Sequence, residues 1–363
     1  MDQPATLLLH NLGGVLTGDA AAPAASADVL AVRDGVLVAP DDPAAQAGPE
    51  AAERIDARGG WVMPGLWDGA CHLYFGDHTP ELSAVGALAA SVGYGVTTVV
   101  AAGPAPVPGV VPTARFQREL AVLTMKSWVH DRPRGLQVHC GAVVAHQHWG
   151  AEDLQDLVAS GADLLLLPVT IPADDLRRLA KTGRAAGMRV GLKLDGADTL
   201  GDALLDELLE EVRPELATPV NAVGLSGAVT DRLLRAGDCA LGLVLTGNLA
   251  VAARVVRECV ERGELGRPFL GSGTPDQRGV LPAGMALLLE VLGAMTGLEP
   301  APLVAMASGN VARAFGRPGG LLGPGQPADL VVLEHGDGEF VSPWLRRPAA
   351  TLVNGRPDLT REG

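Results

Sequence analysis

The chain has 363 residues, 47% of them hydrophobic, enough for one core of barrel size with a smaller satellite domain. Its 28 Lys and Arg against 42 Asp and Glu give a net charge of -14 without any basic run, which argues against nucleic acid and against an anionic membrane as partners. Cys71, Cys140, Cys239 and Cys259 stand far apart with no CxxC spacing, so neither a zinc ribbon nor a disulfide scaffold is expected.

The first residues, MDQPATLLLHNLGG, carry no positively charged segment followed by a long apolar one, and no run of eighteen apolar residues occurs anywhere. A cytoplasmic chain that does not enter a membrane is the expectation. Residues 6–62 hold short strand-like runs, TLLLHN, DVLAVRDGVLVAP and WVMPG, with RDG at 33–35 as a hairpin turn. Similar runs return at the far end in PADLVVLEHGDGEF and AATLVNGRP. Both chain ends are thus expected to pair in one small β-sandwich, residues 1–62 with 318–363.

Between them, over residues 63–317, eight apolar runs alternate with longer helical stretches: WDGACHLYF, GVTTVVAAG, GLQVHCGAVVA, ADLLLLPVT, RVGLKLD, ATPVNAVGL, CALGLVLTG and RPFLGSGTP. Alternation of this kind predicts a parallel sheet covered by helices, and eight units in about 250 residues predict an α/β fold of the (β/α)8 (TIM) barrel type. The chemistry of such a barrel belongs at the carboxyl ends of its strands.

The segments IDARGGWVMPGLWDGACHL, SVGYGVTTVVAAG, MASGNVARAFG and GLLGPGQPADLVVLE resemble the amidohydrolase superfamily along nearly the whole chain. Gly76 and Asp77, RPRGLQVHCGAVV and RGELGRPFLGSGTP resemble enamidases most, and imidazolonepropionases and dihydroorotases less. The resemblance implies one or two metal ions held by an H-x-H on the first strand, a carboxylate or carboxylated lysine, two further histidines and an aspartate on the last strand. Here those positions meet Ala70 and His72, then Leu166, Leu167 and Pro168, then Lys193, then Asn221 or Ala222, and finally Gly273. One ligand remains, whereas a catalytic zinc needs about three from the protein. The expectation is an eroded binuclear site, with no metal and no other cofactor.

Among the residues left, period-two alternation points Asp68, Ala70 and His72 into the barrel and Cys71 outward. His72 reads either as a satisfied remnant or as a general acid or base. Lys193 reads either as a nucleophile or base, or as a cation filling the ion's place against Asp68 or Asp195. Asp77, His78, Arg115 and Asn221 are candidates for contacting a small molecule in the mouth. His146 and His148, with His139, are fallback ligands for a rebuilt metal site. His139 and Cys140, adjacent on a strand, face opposite ways and make a poor catalytic pair.

Two functions follow. The first is a non-hydrolytic scaffold subunit, a homo-oligomer or a hetero-oligomer with an intact amidohydrolase paralogue. The second is a metal-independent lyase, cyclase, isomerase or hydrolase acting on a small cyclic amide or carbonyl compound through Lys193 and His72, with Asp68 and Asp195 as further catalytic candidates.

Overall fold

The computed structural model describes residues 6–46, 52–73, 84–104, 112–128, 132–196, 202–275, 279–334 and 348–358. The eight apolar runs become eight parallel barrel strands: Leu66–Leu73, Val96–Pro104, a third in two pieces (Gln137–His139 and Ala142–Val144), Leu164–Pro168, Arg189–Lys193, Leu216–Thr218, Ala240–Val244 and Pro268–Gly271. Each pairs with its neighbours in chain order, for example Leu165 opposite Val190 and Leu243 opposite Leu270. The third strand breaks at Cys140 and Gly141. Its first piece pairs with the second strand and its second piece with the fourth, so one kinked strand carries the wall from one sheet into the other.

No regular ladder joins the eighth strand to the first among the described residues. They are linked just beyond it, where Gly273 N donates to Ala70 O at 3.0 Å and His72 N donates to Thr274 O at 3.2 Å.

Both faces of these strands are buried, which is why they read as continuous apolar runs rather than as alternating ones. In LLLL at 164–167, Leu165 and Leu167 pack outward with the helices, whereas Leu164 and Leu166 face the barrel interior. The helices show the complementary pattern. In Ala173–Ala185, Leu176, Leu179, Ala180 and Gly183 are buried at spacings of three and four, one stripe of the helix surface. Asn248 and Ser226 cap the helices Leu249–Glu261 and Gly227–Arg235, accepting from backbone N–H groups of the first turn.

Inside the barrel, Trp67, Val100, Ala142, Leu164, Leu166, Leu216 and Phe269 pack against Val311, Ala314 and Phe315, which close the base. The lower interior is therefore solid. A small-molecule site in the interior would have to lie toward the carboxyl ends.

A six-stranded sheet is built from both ends of the chain. Leu330–Val332 lies between Trp61–Pro64 and Ala350–Val353, antiparallel to both. A four-stranded sheet from residues 6–56 faces it, with Leu7, Leu9, Val32, Val62, Leu330, Val332 and Leu352 in the shared core. The RDG stretch is a hairpin turn as expected: Val29–Arg33 pairs with Val36–Leu37, and Asp34 and Gly35 both take positive φ, 54° and 78°. Among the described residues, no helix is long and apolar enough to cross a membrane.

Candidate functional site at the carboxyl ends of the barrel strands

Alternation along each strand decides which side chains reach the interior near the mouth. On the fifth strand, Val190 and Leu192 pack outward, while a Cβ at Gly191 would meet the interior side chains of Leu216 and Leu166. Lys193, two residues on, therefore faces inward. Thr218 on the sixth strand does the same, since a Cβ on Gly242 would lie 2.4 Å from its Oγ1 and 2.8 Å from the Phe269 ring. Ala70 and Val244 form a small buried contact of their own, and Gly271 lies directly against Ala70.

Asp68 corrects the sequence expectation. The first strand shifts register between Asp68 and Cys71, so Gly69 and Ala70 both turn toward the interior side and Asp68 stays with the outward set. Its buried carboxylate accepts from Ser272 N at 2.8 Å, Ser272 Oγ at 2.5 Å and Ala70 N at 3.1 Å. Helix residues Leu88 and Met285 line the same recess. Burial raises the Asp68 pKa, and the hydrogen bonds from Ser272 and Ala70 oppose that rise. This carboxylate ties the eighth strand to the first from the helix side. It neither faces the mouth nor meets Lys193, and Ser272, its partner, carried no signal in the sequence. Cys71 packs outward as expected, its thiol pushed up by burial.

Lys193 Nζ lies 2.6 Å from Asp195 Oδ2, with 17% of the lysine side chain exposed against 55% of the aspartate. Of the two carboxylates weighed for this lysine, the loop residue Asp195 is the one that meets it. His72 is half-buried two residues beyond Ala70.

Asn221 is completely buried and held by main chain. Its Nδ2 donates to Val244 O at 2.8 Å and to Asn248 O at 3.4 Å, and its Oδ1 accepts from Val244 N at 2.9 Å. Its carboxamide stitches the loop after the sixth strand to the seventh strand and to the next helix. That engagement leaves little of it for a small molecule.

The three fallback histidines are divided between the two ends of the barrel. His146 and His148 follow the third strand at the carboxyl end, their rings 5.3 Å apart and edge-on, with His148 N donating to His146 Nδ1 at 3.1 Å. Burial, with His148 nearby, lowers the His146 pKa. His139 precedes the break in that strand and stacks on Trp67 at 5.5 Å, near the base. Burial first, then Arg317 and Arg132, lowers its pKa to about 4, while burial pushes the neighbouring Cys140 thiol up to about 12. The kink thus keeps His139 away from the other two, and the His139–Cys140 pair is far from an ionised dyad.

Arg115 stands on the helix Ala114–Trp128, 81% exposed and paired with Glu119 at 2.7 Å. Asp77 and His78 lie outside the described residues. Among the described residues, no three His, Cys, Asp or Glu side chains come together in a way that could hold a metal ion. Gly273, at the position of the last-strand aspartate, has φ +70°, and a Cβ there would lie 2.1 Å from Thr246 Oγ1. An aspartate at 273 would need both the backbone and Thr246 to move.

No protein-family model matches the chain. It is 28% identical to the enamidase of Eubacterium barkeri over 356 residues, 96% of this chain and 92% of that protein. The crystal structure of enamidase, a member of the amidohydrolase superfamily, superimposes with a TM-score of 0.85 at 26% identity, covering 97% of this chain and 95% of the other. Beta-aspartyl dipeptidase from Fervidobacterium islandicum (TM-score 0.70, 97% and 96% covered) and N-acetyl-D-glucosamine-6-phosphate deacetylase from Mycobacterium smegmatis (0.69, 97% and 99%) share the fold at 16% identity each. The chain is therefore enamidase-like along nearly its whole length and has the fold of the amidohydrolase superfamily.

Proposed function

We propose that this chain is a non-hydrolytic amidohydrolase, an oligomeric scaffold subunit that works beside an intact member of its superfamily. One observation carries the reading. Beside His72, the inward positions at the carboxyl ends hold Ala70, Lys193, Thr218, Val244 and Gly271, where a metal-hydroxide hydrolase needs further imidazoles and carboxylates. A lysine ammonium has no lone pair to offer a cation, and alanine, valine and glycine have no donor atom at all. These residues do not fit the ion the fold family implies. The strained position of Gly273 supports the same reading, because a single substitution would not restore the missing aspartate.

The Lys193–Asp195 pair favours a second reading, a metal-independent enzyme acting on a small cyclic amide or carbonyl compound. A mostly buried ammonium beside a half-exposed carboxylate could hold or pass a proton, and His72, half-buried at the end of the first strand, is the second group this reading would use.

One preparation tests both readings. The full chain is loaded with zinc, iron or manganese, dialysed and analysed for metal, then offered cyclic amides and enamides. It is also examined by light scattering alone and with an amidohydrolase that has an intact H-x-H. The scaffold reading expects well below one ion per chain, no turnover, and either a homo-oligomer or a mixed complex. About one retained ion per chain, with turnover lost in His72→Ala, would overturn it. Metal-free turnover lost in Lys193→Met at unchanged thermal stability would establish the second reading instead.

A further inference from the structure

At the opposite end of the barrel, a cavity of about 480 Å³ opens below the amino ends of the fifth to eighth strands. Four arginines line it, Arg189, Arg213, Arg267 and Arg313, against two carboxylates, Glu215 and Asp238. A concentration of guanidinium groups is unexpected in a chain of net charge -14, and their hydrogen bonds divide them into two kinds.

Arg267 belongs to the wall. Its Nη1 and Nη2 donate at 2.8 Å to Leu234 O and Leu233 O at the end of the helix Gly227–Arg235, and its Nε donates to Cys239 O at 3.1 Å. Arg313 is partly engaged, through Nη2, with Gly266 O at 3.1 Å and with Asn310 Oδ1. Glu215 is turned to the main chain, accepting from Val190 N at 2.8 Å.

Arg189 is different. Its guanidinium has no hydrogen-bond or ion-pair partner among the described residues, and its Nη1 is shut away from solvent beside Gly316. A buried guanidinium nitrogen without an acceptor is a costly arrangement, and a protein interior normally satisfies such a group. Arg213, exposed at the rim, engages only its Nε, with Glu210 O at 3.3 Å. Three forked guanidinium groups with nitrogens that no described residue accepts, those of Arg189, Arg213 and Arg313, thus line the cavity over apolar walls that include Leu209 and Ala314; the Arg189 Nη1 is turned to Gly316, so Arg189 would meet a ligand through the rest of its fork. Planar bidentate donors of this kind match carboxylate and phosphate oxygens.

We propose that this basal cavity is a binding site for a small anion, a phosphate ester or dicarboxylate, held by Arg189, Arg213 and Arg313. It is separate from the mouth. Arg189 and Lys193 are the first and last residues of one strand, roughly 13 Å apart along it. The proposal is independent of whether the mouth is catalytic.

Calorimetric titration of the full chain with inorganic phosphate, pyrophosphate and succinate, at constant ionic strength, tests it. One saturable site per chain is expected. Arg189→Gln should weaken it about tenfold, the size of one lost charge-assisted hydrogen bond, and Arg213→Gln should also weaken it. Lys181→Gln, which removes an exposed charge from a helix away from the cavity, should leave it unchanged. Binding of the phosphates but not succinate assigns a phosphate ligand, and the reverse assigns a dicarboxylate. If Arg189→Gln fails to fold, Arg213→Gln decides alone. No saturable binding by any probe, equal binding by the wild type and the cavity variants, or an equal loss in Lys181→Gln would overturn the proposal.

Discussion

Lys193 and Asp195 touch, but they stand to lose different things when separated. The ammonium is 17% exposed and the carboxylate 55%, so the carboxylate already has water and the ammonium largely depends on its partner. Lys193→Met leaves a solvated aspartate behind and should cost about 0–1 kcal/mol, the range of a surface pair. Asp195→Ala leaves a mostly buried cation uncompensated and should cost more, about 1–3 kcal/mol. Denaturant unfolding of both variants measures the asymmetry, and equal losses would contradict this account. His139 makes a second prediction at this scale. Burial and two nearby arginines bring its pKa to about 4 in the folded chain, against about 6.5 for an unfolded histidine. Between those values the unfolded chain binds more protons, so stability should fall as pH drops from about 6.5 to 4 and level off below, by up to about 3 kcal/mol. His139→Phe, stacked on Trp67, should remove that slope, which unfolding at pH 4.5 and pH 7 would show. The sequence made the identities of Ala70, Lys193 and Gly273 legible. It could not show that His139 sits at the base, because nothing local distinguishes an amino-end histidine from a carboxyl-end one on a short strand.

At the scale of elements, the alternation of apolar runs and helical stretches located all eight barrel strands, because both faces of each are buried and the runs are continuous. What it missed were the places where a strand departs from period two. The register shift between Asp68 and Cys71 adds a residue to the interior side and sends the carboxylate to the helix side, where it bonds to Ser272. A strict alternation put Asp68 in the mouth, next to Lys193. The third strand breaks at Cys140 and Gly141, where Gly141 lies close against Asp163, and this break separates His139 from His146 and His148. Bulges and kinks respond to the neighbouring strand, and that neighbour is distant in sequence. The hairpin at Asp34 and Gly35 was legible for the opposite reason, since its signal lies within two residues. Local chemistry can be read from the chain, whereas register needs the partner.

For the whole molecule, the return of the chain to its own beginning is the strongest structural commitment. Leu330–Val332 is an inner strand of the six-stranded sheet, with Trp61–Pro64 on one side and Ala350–Val353 on the other. Leu330, Val332 and Leu352 are completely buried against side chains that include Leu9 and Val62. Each such side chain contributes about 1.5–3 kcal/mol when fully removed from water, so the three together are worth roughly 5–9 kcal/mol, an upper figure because an unfolded chain already hides some of this surface. Whole domains are commonly stable by about 5–15 kcal/mol. A chain ending at Arg317 would lose these residues and expose the edge of Trp61–Pro64, which leads through Gly65 into the first barrel strand. The truncated chain should therefore lose the barrel's cooperative transition along with the sandwich, and an exposed edge of this kind should aggregate. Thermal unfolding by circular dichroism, with light scattering recorded on the same sample, tests the expectation. A truncated chain that stays dispersed and melts within a few degrees of the full one would show that the barrel stands without the C-terminal return.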